Sequence, residues 1–169
     1  MHPVERNEGM NKTSMELEGQ QDIVISRVFR APPRIVFEAY TKAEFVSRWW
    51  APKSHGASLV ECTADVRTGG RYRYVMNVRE QGNMAFSGEY REVTPYTKLV
   101  YTQVFEPMAD AGAVVATVTF EEVNGQTKLT SRERYPSKEA REAAVASGME
   151  SGMRESMEQL EELVFSLAK

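Results

Sequence analysis

The stretch GMESGMRESMEQLEELVFSL, residues 148–167, returns to an apolar side chain every three or four positions. Met149, Met153, Met157, Leu160, Val164 and Leu167 fall on one stripe that continues from Val145, and Glu155, Glu158, Glu161 and Glu162 fall opposite. A period near 3.6 with one apolar face predicts an amphipathic helix whose stripe needs a partner. Gly148 and Gly152 would each cost about 1 kcal/mol relative to alanine inside a helix. A break is therefore expected near Ser147-Gly148. Before it, Ser137 suits an N-cap, and Glu139 suits the first turn, where the helix dipole favours negative charge.

The preceding residues show what that stripe must cover. From Ala57 to Tyr135 the period becomes two, interrupted by Thr68-Gly69-Gly70, Gln81-Gly82-Asn83, Thr94-Pro95, Asp110-Ala111-Gly112 and Asn124-Gly125. Alternation punctuated by turn residues predicts an antiparallel meander of about six strands, with Asn-Gly its strongest hairpin signal. Further back, Gln21 to Arg30 reads as a first strand stopped by Ala31-Pro32-Pro33. A short helix follows over Arg34 to Tyr40. Thr41 and Glu44 then resemble a capping box for a second, which runs through Trp50 and ends at Pro52.

A meander with one apolar face has to be covered, and the terminal helix is the one long amphipathic element available. The expected fold class is α+β: a curved antiparallel sheet wrapped around a long C-terminal helix, with two short helices after the first strand. One domain is expected over residues 21–169. Residues 1–20 are too polar to offset their ordering entropy and are expected to form a mobile tail.

Composition narrows the partners. The net charge of -3 arises from interleaved acids and bases, without the basic stripe that a phosphate backbone requires, so no nucleic acid is expected. No apolar run is long enough to span a bilayer and no secretory leader is recognisable, so no membrane association is expected. Cys62 is the only cysteine. That excludes an internal disulfide, suits a reducing cytoplasmic location, and leaves Cys62, in an alternating strand pattern with Val60, Ala64 and Val66, to be read as a buried, inert strand residue.

Strand parity turns Tyr72, Tyr74, Met76, Val78, Phe86, Gly88, Tyr90, Leu99, Tyr101, Gln103 and Phe105 toward the helix, with Val118, Phe120, Leu129, Ser131 and Glu133 beside them. Aromatic walls with a few polar groups are the mark of a small-molecule cavity. The candidate ligand-binding residues are Trp50, Tyr74, Met76, Phe86, Tyr90, Tyr101, Gln103, Phe120, Glu133, Met149, Met153 and Met157. The same side chains also serve as ordinary core. One of Trp49 and Trp50 is expected to close the mouth while the other packs beneath, and Arg27 is expected to pair with Glu133. Apart from His2, the only histidine is His55, in a Pro-Lys-Ser-His-Gly loop. No nucleophile pair and no metal-ligand spacing accompanies it, so no catalytic residue, metal or cofactor is expected, and the residues point away from an enzyme.

Six segments carry a family resemblance: Arg27-Val-Phe-Arg-Ala-Pro32, Trp49-Trp50-Ala-Pro52, Asp65-Val-Arg-Thr-Gly-Gly70-Arg-Tyr, Ser87-Gly-Glu-Tyr-Arg-Glu92, Leu99-Val-Tyr-Thr102, and the terminal Gly148-Met149 with Gly152 and Leu160. In this order, from about Asp22 onward, they resemble the SRPBCC (START-like, birch-pollen-allergen-like) superfamily. The branch is the one named after the activator of heat shock protein 90 ATPase. The resemblance implies a helix-grip fold with a hydrophobic cavity. Relatives bind lipids, sterols or polyketides, some catalyse cyclisation or dehydration, and the branch name comes from a chaperone-stimulating domain of larger proteins.

Three functions follow as expectations. The first is binding of a small hydrophobic or aromatic ligand in the cavity. The second is a cyclase or dehydratase using the same cavity, with Tyr74, Tyr101, Glu133 or His55 moving protons. The third is a co-chaperone-like stimulator of a heat-shock ATPase in a stress response, with a chaperone partner held by the outer sheet face and the acidic side of the last helix. The sequence shows no counterpart of the separate N-terminal chaperone-binding domain of the eukaryotic activators, which turns the weight toward the first.

Overall fold

The alternating stretches become eight strands: β1 Ser14–Glu18, β2 Asp22–Phe29, β3 Ala57–Ala64, β4 Arg71–Val78, β5 Gly82–Thr94, β6 Lys98–Phe105, β7 Val114–Val123 and β8 Gln126–Arg134. The structure is a computed structural model and describes residues 12–169. All eight strands join one antiparallel sheet in the order β1-β2-β8-β7-β6-β5-β4-β3. Asn124 and Gly125 both adopt positive φ, 53° and 78°, which matches the twist of a two-residue hairpin and sets Val123 opposite Gln126.

Among the described residues there are four α-helices, α1 Pro33–Thr41, α2 Ala43–Trp49, α3 Lys138–Ala146 and α4 Met149–Leu167, of which α1, α2 and α4 pack against the sheet. Together they make the helix-grip fold, in which the sheet curls around α4. Pro33 opens α1, where its missing N–H leaves nothing unpaired. Ser137 caps α3, its Oγ accepting from the Ala140 N–H at 3.0 Å. The break expected near Gly148 is present, and Gly148 holds a left-handed φ of 82° between α3 and α4. Fully buried Phe29, Val36, Val46, Leu99, Val118, Leu129, Leu160 and Val164 fill the layer between sheet and helices. Each contributes roughly 1.5–3 kcal/mol of burial.

Four local expectations need correction. The stretch 14–18 is no tail but an edge strand, and Arg141 fastens its turn into β2 by donating from Nη1 to the carbonyls of Glu18, Gly19 and Asp22. Residues 1–11 lie outside the described residues. No capping box forms at Thr41, whose hydroxyl instead donates to the Phe37 carbonyl at 2.8 Å while Lys42 leads α2 without a side-chain cap. The loop expected around Asp110 is wound into 3-10 turns over Glu106–Ala111. In β3, a register shift between Leu59 and Glu61 inverts the parity. Val60, 58% exposed, therefore points outward, while Leu59 and Cys62 pack against the core. Burial pushes the Cys62 thiol up to about 11, so it stays protonated and unreactive.

Gly88 answers to a different constraint. It sits opposite Tyr72 on β4, and a Cβ there would lie 1.8 Å from the Thr102 carbonyl oxygen and 2.8 Å from the Tyr72 ring. No side chain fits. Gly148 has open space around it, so only its φ opposes substitution. Urea unfolding is expected to show Gly148→Ala destabilised by about 1 kcal/mol and Gly88→Ala by roughly 3 kcal/mol or more. Equal losses would contradict this division between backbone strain and steric exclusion.

Candidate functional site

Trp49 ends α2 and Trp50 opens the loop after it, which α4 holds largely through main-chain atoms. The Gln159 amide donates to the carbonyls of Trp49 and Ala51, both at 2.8 Å, and its oxygen accepts from the Lys53 N–H at 3.0 Å. Ser156 donates to the Trp50 carbonyl at 2.8 Å. Glu155 accepts from the Ser54 N–H and hydroxyl and lies 3.2 Å from His55 Nδ1; together the Ser54 bonds and His55 hold its carboxyl below the usual range. A Cβ at Gly152 would lie 3.5 Å from the Pro52 side chain, an ordinary contact, so the approach of α4 to this loop does not depend on that glycine.

The clamp leaves the two indoles in different surroundings. Trp49 is buried and donates from Nε1 to the Ala39 carbonyl at 2.8 Å. Trp50 is half-buried and meets Tyr74 and Phe86 edge-on, with ring centroids 5.3 and 5.0 Å away. Behind it lies a void of about 20 Å3 lined by Tyr40, Trp49, Trp50, Tyr72, Tyr74, Tyr90, Leu99, Tyr101 and Gln103. That volume admits about one water molecule, against the roughly 300 Å3 or more typical of ligand pockets. In this state the grip is closed.

The lining is unusually rich in phenols. Tyr72 donates to the Thr102 carbonyl at 2.6 Å, and the Tyr40 and Tyr101 hydroxyls are 3.3 Å apart. Burial pushes Tyr40 and Tyr90 up to about 12 and raises Tyr72, Tyr74 and Tyr101 strongly. All five therefore remain neutral hydrogen-bond donors at physiological pH.

Of the twelve candidate residues, Trp50, Tyr74, Tyr90, Tyr101 and Gln103 line this void. Phe86 backs Trp50, and Phe120 packs edge-on against Phe37 and Tyr40 beneath. Met157 is core, Met153 packs beside it, and Met76 and Met149 are half-buried outside the lining. Glu133 is also outside it, in register between Ile23 and Ala116. Sequence reading missed Tyr40, although its spacing from Val36 places it on the buried face of α1. Tyr72 shares the parity of Tyr74, which was signal enough to include it.

The Arg27–Glu133 pair does not form. Arg27 sits opposite Leu129, four positions along β8 from Glu133, and its Nη1 instead meets Glu158 of α4 at 2.9 Å. Glu133 has no hydrogen bond or ion pair among the described residues, and burial pushes its carboxyl up to about 7. The acidic side of α4 is mixed: Glu158 and Glu162 are exposed, whereas Glu161, 4% exposed, accepts from Arg30 Nε at 2.7 Å. His55 lies at the clamp and not in the lining. Among the described residues no three His, Cys, Asp or Glu side chains converge as a metal site, and no helix is long and apolar enough to cross a membrane. On the outer sheet face a wider groove of about 600 Å3 runs past Val60, Val75 and Pro107, its Arg73 paired with Glu61 and Glu106, both at 2.9 Å.

A sheet gripping a terminal helix around an aromatic interior defines a START-like helix-grip protein. Residues 30–164 match the family model described as "Activator of Hsp90 ATPase homolog 1-like protein", and the chain belongs to that family. A Rhodobacter sphaeroides protein superposes with a TM-score of 0.84 at 22% identity, over 92% of this chain and 99% of that one. A Staphylococcus epidermidis protein solved by NMR gives 0.76 at 29% identity, over 92% and 96%. An HSP90 activator from Plasmodium falciparum gives 0.54 at 22% identity, over 68% and 73%. The search of curated proteins returned no match.

The unpaired Glu133 has a consequence for stability. Because folding raises this carboxyl above its unfolded value, its contribution is fully present below about pH 4.5 and is lost as pH rises through about 7. Glu133→Gln is therefore expected to gain on the order of 1–3 kcal/mol over the unaltered protein at pH 8 and almost nothing at pH 5. Urea denaturation at the two pH values checks this, and a gain independent of pH would contradict it.

Proposed function

We propose that the protein binds a small, flat, apolar or aromatic molecule between Trp50, the inner tyrosines and α4. The observation that carries this reading is the phenol-lined void behind Trp50. A core built for stability alone gathers aliphatic side chains without polar atoms, whereas five buried phenols and an amide around one void supply orientation to something that enters. Entry requires the Trp50 ring to swing, since the void itself is far below ligand size. The backbone stays in place during that motion, because Ser156 and Gln159 hold the carbonyls on Trp50 and on either side of it.

Titration with N-phenyl-1-naphthylamine or another neutral aromatic compound, followed by tryptophan emission, is expected to saturate at one equivalent. Trp50→Ala is expected to remove most of the emission change while leaving the fold intact by circular dichroism. A protein that takes up no apolar probe at millimolar concentration would overturn the reading.

A second reading, stimulation of a heat-shock ATPase, is favoured by the family to which the chain belongs and by its likeness to an HSP90 activator from Plasmodium falciparum. It would use the outer sheet groove and leave the void untouched. ATP turnover by an Hsp90-class chaperone is then expected to rise severalfold on adding the protein and to fall back with Arg73→Glu. Unchanged turnover at saturating protein would remove this reading.

A further inference from the structure

The groove on the outer sheet face takes no part in the cavity. β3 is the last strand of the sheet, and its register shift between Leu59 and Glu61 inserts Val60 as an extra residue at the edge. Val60 is 58% exposed on one bank, and Met108, next to Pro107 on the other, is 59% exposed. No other large apolar side chain among the described residues is as open to solvent. Val75 and its cross-strand neighbour Ala85 form the floor. A lining of small aliphatic groups without an aromatic ring suits aliphatic side chains.

The groove is also unbalanced in charge. Arg73 donates from Nη1 to Glu61 at 2.9 Å, and from Nε and Nη2 to the two oxygens of Glu106 at 3.0 and 2.9 Å. One guanidinium serves two carboxylates, so one negative charge remains. Asp110 adds another on the 3-10 turns that begin at Glu106. Hydrogen-bonding capacity is left over as well. Glu61 uses only Oε2, and Asn83 accepts from Asn77 at 2.8 Å while its own NH2 has no partner among the described residues. An open sheet edge invites a further strand, but a bulge there disrupts regular pairing. A partner therefore lies across the face. From β3 to β5 is two strand spacings, about 10 Å, which roughly three extended residues span.

We propose that this groove docks a short extended segment of another protein in which aliphatic side chains alternate with Lys or Arg. The aliphatic groups cover Val60, Val75 and Met108, the cationic head groups meet Glu61 and Glu106, and the Asn83 amide meets the main chain. The same negative charge repels nucleic acid and anionic lipid. The partner need not be an ATPase, so unchanged turnover in the assay above leaves this proposal standing.

The peptide acetyl-Lys-Leu-Lys-Val-Lys-amide tests it against two relatives, Lys-Ser-Lys-Ser-Lys and Glu-Leu-Glu-Val-Glu. Titrated into the isotope-labelled full chain and followed by NMR, the first is expected to move the amide signals of β3, β4 and Glu106–Ala111. It is expected to bind about tenfold tighter than either relative, and to weaken severalfold as ionic strength rises from about 0.05 to about 0.5 M. Val60→Ser combined with Met108→Ser, both at exposed positions, is expected to cost about tenfold in affinity. Glu61→Gln is expected to cost roughly two- to fivefold. Equal binding by either relative, signals that move on α4 instead of the groove, or no binding at about 1 mM peptide each overturns the proposal. Sedimentation that shows a dimer, dissolved by the double variant, gives the face to a second copy and overturns it too.

Discussion

A single side-chain amide, Gln159 on α4, takes both carbonyls that flank Trp50 and also the Lys53 N–H. Both amide functions are thereby spent on one loop that crosses the mouth of the grip. Such a loop has no strand or helix partner for its main chain, and buried peptide groups without partners are costly. Gln159 and Ser156 satisfy them and, in doing so, fix where α4 lies. Trp49 then drops into the core, Trp50 turns to the void, and the apolar stripe of α4 faces β2, α1 and α2. Pack α4 differently and those carbonyls lose their donors.

The acidic residues of α4 extend the same arrangement. Glu155 receives the backbone of Ser54, Glu158 meets buried Arg27, and Glu161 holds Arg30. A row of glutamates opposite an apolar stripe reads as a solvated face, and on most surface helices it is one. Here the helix is gripped on more than its apolar side, because β2 and the loop after α2 both bring unpaired donors to it. Charge-assisted bonds to those donors make α4 specific in register and orientation, which its apolar stripe alone, built from interchangeable methionines and leucines, does not.

The interior carries polar groups at a cost to stability. Five tyrosines around a void of about 20 Å3 form a core that is nearly filled yet carries hydroxyl groups that an aliphatic core would not need. Glu133, unpaired and raised toward neutrality, adds to that cost. The fold is shared with a chain only 22% identical, so the fold by itself does not fix a function.

Much of this was legible in the sequence because periodicity is a local property. Alternation over Ala57 to Tyr135 identified the meander, Asn124-Gly125 its last hairpin, and the steps of three and four after Gly148 the gripped helix, while parity placed Tyr74, Tyr90, Tyr101 and Gln103 around the void. The remainder was decided by contacts between residues far apart in the chain. Arg27 meets Glu158 and not Glu133 because strand register puts four positions of β8 between it and the expected partner, and β1 is a strand through its pairing with β2, which its own polar sequence does not signal. A shift at Leu59 turned Val60 outward against its own alternation. The sequence by itself determined the elements and their apolar faces, since those depend on neighbours within a few residues. Only the tertiary structure decided which polar groups met and how closed the cavity is, since both depend on distances set by the packed whole.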